Sequence, residues 1–110
     1  MFTASATGTT LHLTFTGEIT GHAAGLASAV GAVIVGWDGS PVVIDCTACT
    51  GIGLDGAGLL FGVVRALRWS TITIKVRRGP TGAGIRFAFE RLNDASIQIT
   101  GAPSIPVVEV

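Results

Sequence analysis

Four short stretches of this chain have residue types and spacings that could do chemistry. Cys46-Thr47-Ala48-Cys49 is a C-x-x-C pair, and Gly51-Ile52-Gly53-Leu54-Asp55-Gly56 fits G-x-G-x-x-G. Gly79 to Gly84 has the G-x-x-x-x-G skeleton of a phosphate loop, and Arg77-Arg78 is a tandem pair of cations just before it. A redox C-x-x-C works at a helix N-terminus, where the dipole stabilises a thiolate, yet the next helix is expected only near Gly56. A thiolate metal site would need His12 and His22 to complete it, and neither has ligand spacing to the other or to the cysteines. Small residues lining a packed loop is therefore the expected role of Cys46 and Cys49, with no metal and no cofactor.

The glycine patterns also lack parts of their mechanisms. A dinucleotide fingerprint begins directly after its strand and is followed about 20 residues on by a carboxylate for the ribose. Here the strand is expected to end near Asp45, and the later position is Val76-Arg77. After Gly84 come Ile85-Arg86 instead of Lys and Ser/Thr, so neither the lysine for the phosphates nor the hydroxyl for Mg²⁺ is present. What survives is an anion contact by Arg77 and Arg78 beside a helix start. There is no tyrosine, and the two histidines stand far in sequence from any obvious nucleophile. No carboxylate pair is spaced for acid–base work, so an enzyme is not expected.

The elements that must position these residues read in order. Met1 to Ala6 is an edge-strand candidate, and Thr10 to Thr16 alternates, with Leu11, Leu13 and Phe15 on one face and His12, Thr14 and Thr16 on the other. Thr20 can cap a helix running to about Val35, and Asp38 to Pro41 is a turn cluster. Val42-Val43-Ile44 has no polar alternation, which predicts a central strand covered on both faces. A small, glycine-rich loop from Cys46 to Gly56 leads into an apolar helix ending in Arg65 and Arg68. Ser70 to Val76 is a β-branched strand. Thr81 can cap a third helix with Ile85, Phe89 and Leu92 on one face, ended by Asn93-Asp94. Ser96 to Thr100 is expected as the last strand, and the proline-interrupted tail 101–110 as an edge strand or extended arm. The order β-β-α-β-α-β-α-β predicts an α/β domain with a mixed, mostly parallel sheet and covering helices.

Composition bounds the function. At 110 residues the chain has room for one domain, 1–110. Charged residues make up 13% against about 25% in a typical domain, and the net charge is zero. That excludes the electrostatic footprint of a nucleic-acid binder. A mean hydropathy of +0.64 suggests instead an apolar surface that meets a protein partner or a second copy in a homodimer. Gly21 to Trp37 is uncharged but glycine-rich and at the short limit of a membrane span, so a buried helix is expected rather than membrane insertion. The first residues, MFTASATG, have no signal-peptide pattern, and two cysteines make no disulfide scaffold. A cytoplasmic location follows as the expectation.

The run LHLTFTGEIT (11–20) resembles the strand and Gly-Glu-Leu-Asp entry of STAS domains, the anti-sigma factor antagonist family. PVVIDCTACTGIGLDGAGLLFGVV (41–64) is similar to that family's strand, Asp, loop and D-S-S-G-L-G helix start, and GIRFAFERLND (84–94) to its amphipathic helix before the last strand. The resemblance covers roughly residues 9–100 and implies a small cytoplasmic, bacterial-type signalling switch. In that family a kinase-type anti-sigma factor phosphorylates a Ser or Thr before the second helix, and the unmodified form binds that kinase. The corresponding residues here are Gly53, Leu54, Asp55 and Gly56, with Leu54 at the acceptor position. Phosphorylation at the usual position is therefore not expected, and Thr47 and Thr50 are the substitute acceptors in the same loop. Asp55 is expected as the helix cap, with imitation of a phosphoserine as the alternative. The implied function is a non-enzymatic interaction module that docks a protein partner, a kinase-like anti-sigma factor or another regulator, through this loop and the exposed side of the next helix. The alternative is a small-molecule or anion sensor using the edge near Arg77–Gly82.

Overall fold

The computed structural model describes residues 2–19, 26–34, 37, 41–67, 70–100 and 105–110. Its elements are β1 (Phe2–Thr7), β2 (Thr10–Ile19), α1 (Leu26–Ile34), β3 (Val42–Ile52), α2 (Leu54–Ala66), β4 (Ile72–Val76), α3 (Pro80–Thr100) and β5 (Val107–Glu109). This is the expected β-β-α-β-α-β-α-β order in a mixed α/β fold. The five strands lie in the sheet in chain order; β1 runs antiparallel to β2, and every later neighbour is parallel.

Because each parallel connection steps one strand further across in the same direction, right-handed crossovers bring the helices to one face of the sheet. The register agrees. Leu11, Val42 and Ile72 form one row, and Leu13, Ile44 and Ile74 the next, all buried. They share a core with Leu60, Val63 and Val64 of α2 and with Ile85 and Phe89 of α3. Phe61 meets Phe89 edge-on at 5.2 Å, which joins the two helices over the sheet. The alternate rows, His12–Val43–Thr73 and Thr14–Asp45–Lys75, are only half-buried. The Val42–Ile44 run is thus not a strand covered on both faces, as its unbroken apolar character suggested. Val43 lies on the open face between His12 and Thr73.

Two other expectations change. The segment from Cys46 to Ile52, expected as loop, continues β3, which pairs with β2 as far as Ile19↔Ile52. Ser96–Thr100 belongs to α3, not to a last strand. Asn93-Asp94 does not stop that helix because neither residue breaks it, and the sequence holds no Gly or Pro between Gly84 and Gly101. The last strand is Val107–Glu109, which pairs with β4 at the sheet edge. Pro80, not a capping Thr81, begins α3, since its missing N–H is no loss at the first helical position. The expected cap at Thr20, the first residues of the helix that it would cap, and Arg68 lie outside the described residues. Among the described residues no helix is long and apolar enough to cross a membrane.

Two glycines set how closely the helices approach the sheet. A Cβ on Gly56, in the first turn of α2, would run into the backbone carbonyl of Ile19 at the end of β2. A Cβ on Gly82, in the first turn of α3, would run into the carbonyl of Arg77 at the end of β4. By contrast, Gly58 on the outer side of α2 has open space where a Cβ would go. Gly56→Ala is expected to lower stability by about 1–3 kcal/mol through overpacking. Gly58→Ala is expected to raise it by up to about 1 kcal/mol through helix propensity. Urea melts of the two variants against the parent chain check both signs.

Candidate functional site

The carboxyl end of β3 organises the site. From Thr14↔Asp45 to Thr16↔Ala48, β3 uses one residue more than β2, and it does so again between Gly17↔Cys49 and Glu18↔Gly51. The first irregularity is held by Asp45. One carboxylate oxygen, Oδ1, accepts the Thr47 N–H at 2.9 Å and the Thr47 hydroxyl at 2.7 Å, a side-chain turn that competes with regular pairing. An extra residue reverses the in–out alternation. Val42, Ile44 and Cys46 point into the core, and beyond the bulge the inward phase passes to Cys49.

That phase change brings the two cysteines together, although three residues apart in a regular strand they would face opposite ways. Cys46 is buried, Cys49 is half-buried, and both are free thiols within hydrogen-bonding contact of each other. The Cys49 thiol also donates to the Phe15 carbonyl at 3.4 Å. The contact with Cys49, then burial, pushes the Cys46 thiol far up; the same contact draws Cys49 down against the opposing effect of its partial burial. The pair opens into a cleft of about 120 Å³ whose other walls are Arg77, Arg78, Gly79, Pro80, Thr81 and Gly82. The ends of β3 and β4 therefore do converge. The Arg78 guanidinium leans toward Glu109 on β5, 3.7 Å away, so Arg78 is shared between cleft and edge strand.

The second part of the site is the start of α2. The N-cap is Gly53, without a side-chain cap, and not Asp55. Asp55 stands one position inside the first turn. Its Oδ1 accepts the Gly56 N–H at 2.9 Å, so it answers one of the orphan donors and places a negative charge at the positive end of the helix. Leu54 is 95% exposed, an unusual position for so large an apolar side chain. At helical spacing it shares the outward side of α2 with Gly58, Gly62 and Arg65, all exposed. A groove of about 290 Å³ runs between α1 and α2, lined by Val30, Gly31, Ile34, Gly58, Leu59, Gly62 and Val63. Of the substitute acceptors, Thr50 is exposed, whereas Thr47 is half-buried with its hydroxyl on Asp45.

The longer β3 also revises the spacing of the G-x-G-x-x-G run. Gly51, Gly53 and Gly56 do straddle the strand–helix junction. The close approach that Gly56 permits, however, is to the chain's own Ile19 carbonyl. The convergence of Cys46 and Cys49 with the Arg77–Gly82 segment rests on the bulge, for which the visible signal was Asp45-Cys46-Thr47, an Asp two residues ahead of a Thr donor. The Gly58–Gly62 spacing of the groove was also visible in the sequence.

No protein-family profile matches the chain, and no curated protein matches it. Among solved structures, the anti-sigma factor antagonist SpoIIAA in its unphosphorylated form matches 100% of this chain and 89% of its own, with a TM-score of 0.64 and 15% identity. The fold is STAS-like. At that identity the likeness is one of architecture: a five-stranded mixed sheet in the same element order, with helices packed on it.

Asp45 gives this end of β3 a pH signature. Burial alone would push its carboxyl up, but the Thr47 hydroxyl and amide, with Lys75 and His12 nearby, together hold it below its ordinary 3.8. A carboxyl lowered on folding stabilises the fold above its unfolded value, and that contribution is lost as pH falls through the lowered one. Asp45→Ala is expected to cost about 1 kcal/mol near pH 7, toward the low end for a charge-assisted bond because solvent reaches the carboxylate. Urea melts at falling pH should show the gap between variant and parent narrowing below about pH 4.

Proposed function

We propose that this protein is a non-enzymatic regulatory module that docks a protein partner through Gly53, Leu54, Asp55 and Gly56 and the outward side of α2. The observation that carries the reading is Leu54, almost wholly exposed at the head of a helix whose outer side offers Gly58 and Gly62. Glycines let a partner backbone come close, and an exposed leucine supplies an anchor that gains most from being covered. The STAS-like fold supports a partner of the anti-sigma factor type, and a kinase-like regulator is the first candidate. Leu54 has no hydroxyl, so docking here is not switched by phosphorylation at that position. Any phosphate falls on Thr50 in preference to Thr47, whose modification would set two anions against each other on Asp45. A cytoplasmic setting fits such a partner.

A second reading is favoured by one observation, the shared cleft. Arg77 and Arg78 with the first turn of α3 offer a positive edge for a small anion, which makes a ligand sensor the alternative. The two readings separate experimentally. With purified candidate anti-sigma factors, Leu54→Arg is expected to weaken binding measured by calorimetry by about tenfold or more, with an unchanged melting temperature. Unchanged affinity in that variant would remove this docking surface. A thermal shift with small anions that vanishes in Arg77→Ala would favour the sensor. Intact-mass measurement after incubation with a candidate kinase and ATP should show no phosphate in Thr50→Ala.

A further inference from the structure

We propose that Cys46 and Cys49 form an oxidisable dithiol, a modification site in which Cys49 reacts first with a hydroperoxide and Cys46 resolves the product to an internal disulfide. The geometry assigns the roles. Cys46 and Cys49 line the same cleft on either side of the β3 bulge, so the second thiol is at hand when the first is oxidised. Cys49 is half-buried at the mouth of the cleft, where a small oxidant can reach it. Cys46 is 2% exposed, the deeper of the two on the cleft wall, so Cys49 is the thiol that an oxidant from solution meets first. Arg77 and the N-terminal turn of α3 form the opposite wall, and a positive field there favours an anionic sulfur and an anionic leaving group. The neighbouring Cys46 thiol, as a hydrogen-bond donor, makes Cys49 the easier of the two to ionise.

The chemistry balances in two steps. The Cys49 thiolate attacks one peroxide oxygen; an S–O bond forms, the O–O bond breaks, and hydroxide or alkoxide leaves and is protonated by water. Cys49 is then a sulfenic acid. Cys46 gives up its proton and attacks the Cys49 sulfur; the S–S bond forms, the S–O bond breaks, and water leaves. The two thiols lose two electrons and the peroxide gains them.

The bond has a mechanical consequence. An extended strand advances about 3.3 Å per residue, whereas a disulfide holds its Cα atoms about 4.4–6.8 Å apart. Closure across Cys46–Cys49 therefore shortens this span and pulls on the pairing beyond it, Gly17↔Cys49 through Ile19↔Ile52.

The test is graded hydrogen peroxide on the whole chain, followed by peptide mapping and intact mass under non-reducing conditions. The expected product is a monomer lighter by two hydrogens, with a Cys46–Cys49 linkage that dithiothreitol reverses. Amide hydrogen exchange should rise in the 17–19 and 49–52 segments of the oxidised form. In Cys46→Ser the sulfenic acid on Cys49 should be trapped by dimedone, and in Cys49→Ser the remaining thiol should be inert. Wild-type protein that gives only sulfinic acid on Cys49, a disulfide between two chains, or no reaction faster than that of the unfolded chain overturns the proposal. These outcomes are read without any partner, so they stand apart from the fate of the docking surface.

Discussion

The arrangement of this protein hangs on a single carboxylate. Asp45 holds the Thr47 amide and hydroxyl on one oxygen, and so fixes an extra residue in the strand that lies at the middle of the sheet. The facing of the strand from Ala48 to the second irregularity, between Cys49 and Gly51, follows from this bulge. Without it Cys49 would face away from Cys46, and Ile52 would reach the end of β2 in a different register. The junction into α2 would then present a different side of its first turn. A neutral or missing side chain at position 45 leaves two donors of Thr47 to water on a half-open surface, a modest energetic loss with a large geometric lever.

The glycines that looked like ligand-binding loops answer to the same packing problem. In this sheet the first turns of α2 and α3 each lie close over the carboxyl end of a strand, β2 for α2 and β4 for α3. Among the described residues, Gly56 over Ile19 and Gly82 over Arg77 are the places where a side chain would stand in the way of a backbone carbonyl. The repeated use explains why the sequence carries two nucleotide-like glycine patterns, one at the start of α2 and one at the start of α3. A glycine admits close approach, but what approaches is decided by the fold, and here it is the chain's own backbone at the ends of β2 and β4.

Where the sequence was legible, it was legible because one physical term dominated. The alternation of Leu11, Leu13 and Phe15 reflects a strand with one dry face, and it marked β2 and its inward side correctly. The β-branched Ile72–Val76 strand and the order of elements were readable for the same reason. The β3 extension was not, because Cys-Thr-Ala-Cys-Thr-Gly has small residues whose strand conformation comes from pairing with β2 rather than from propensity. The Ser96–Thr100 alternation imitated a strand, yet a helix already propagating from Pro80 adds each further residue at little cost until glycine intervenes. Asp55 was read as the cap from its residue type, and it stands two positions inside that place, meeting a different amide. Of the candidate site, the positions of Leu54 and the arginines could be read from the chain. The cleft that Arg77 and Arg78 share with the cysteines lies where the parallel order sets the ends of β3 and β4 side by side, but the turn of Cys49 into it depends on a phase shift that no periodic pattern records.

The open face of the sheet and the outward side of α2 divide the surface into two kinds of exposure. On the sheet, Thr14, Asp45 and Lys75 lie in one row, with His12, Val43 and Thr73 in the next, and both rows are half-buried by their own neighbours. Such a face mixes hydroxyls and opposite charges, so water satisfies it and little is gained by covering it. The head of α2 is the reverse. Leu54 holds nearly its full surface in water beside glycines that offer no side chain for it to fold against, in a chain with few charges to keep copies apart. Covering that leucine is worth roughly 1.5–3 kcal/mol, whereas the sheet face returns much less per residue. Of these two surfaces, the head of α2 is the one whose covering returns more, which is the energetic basis of the docking reading proposed for the β3–α2 junction.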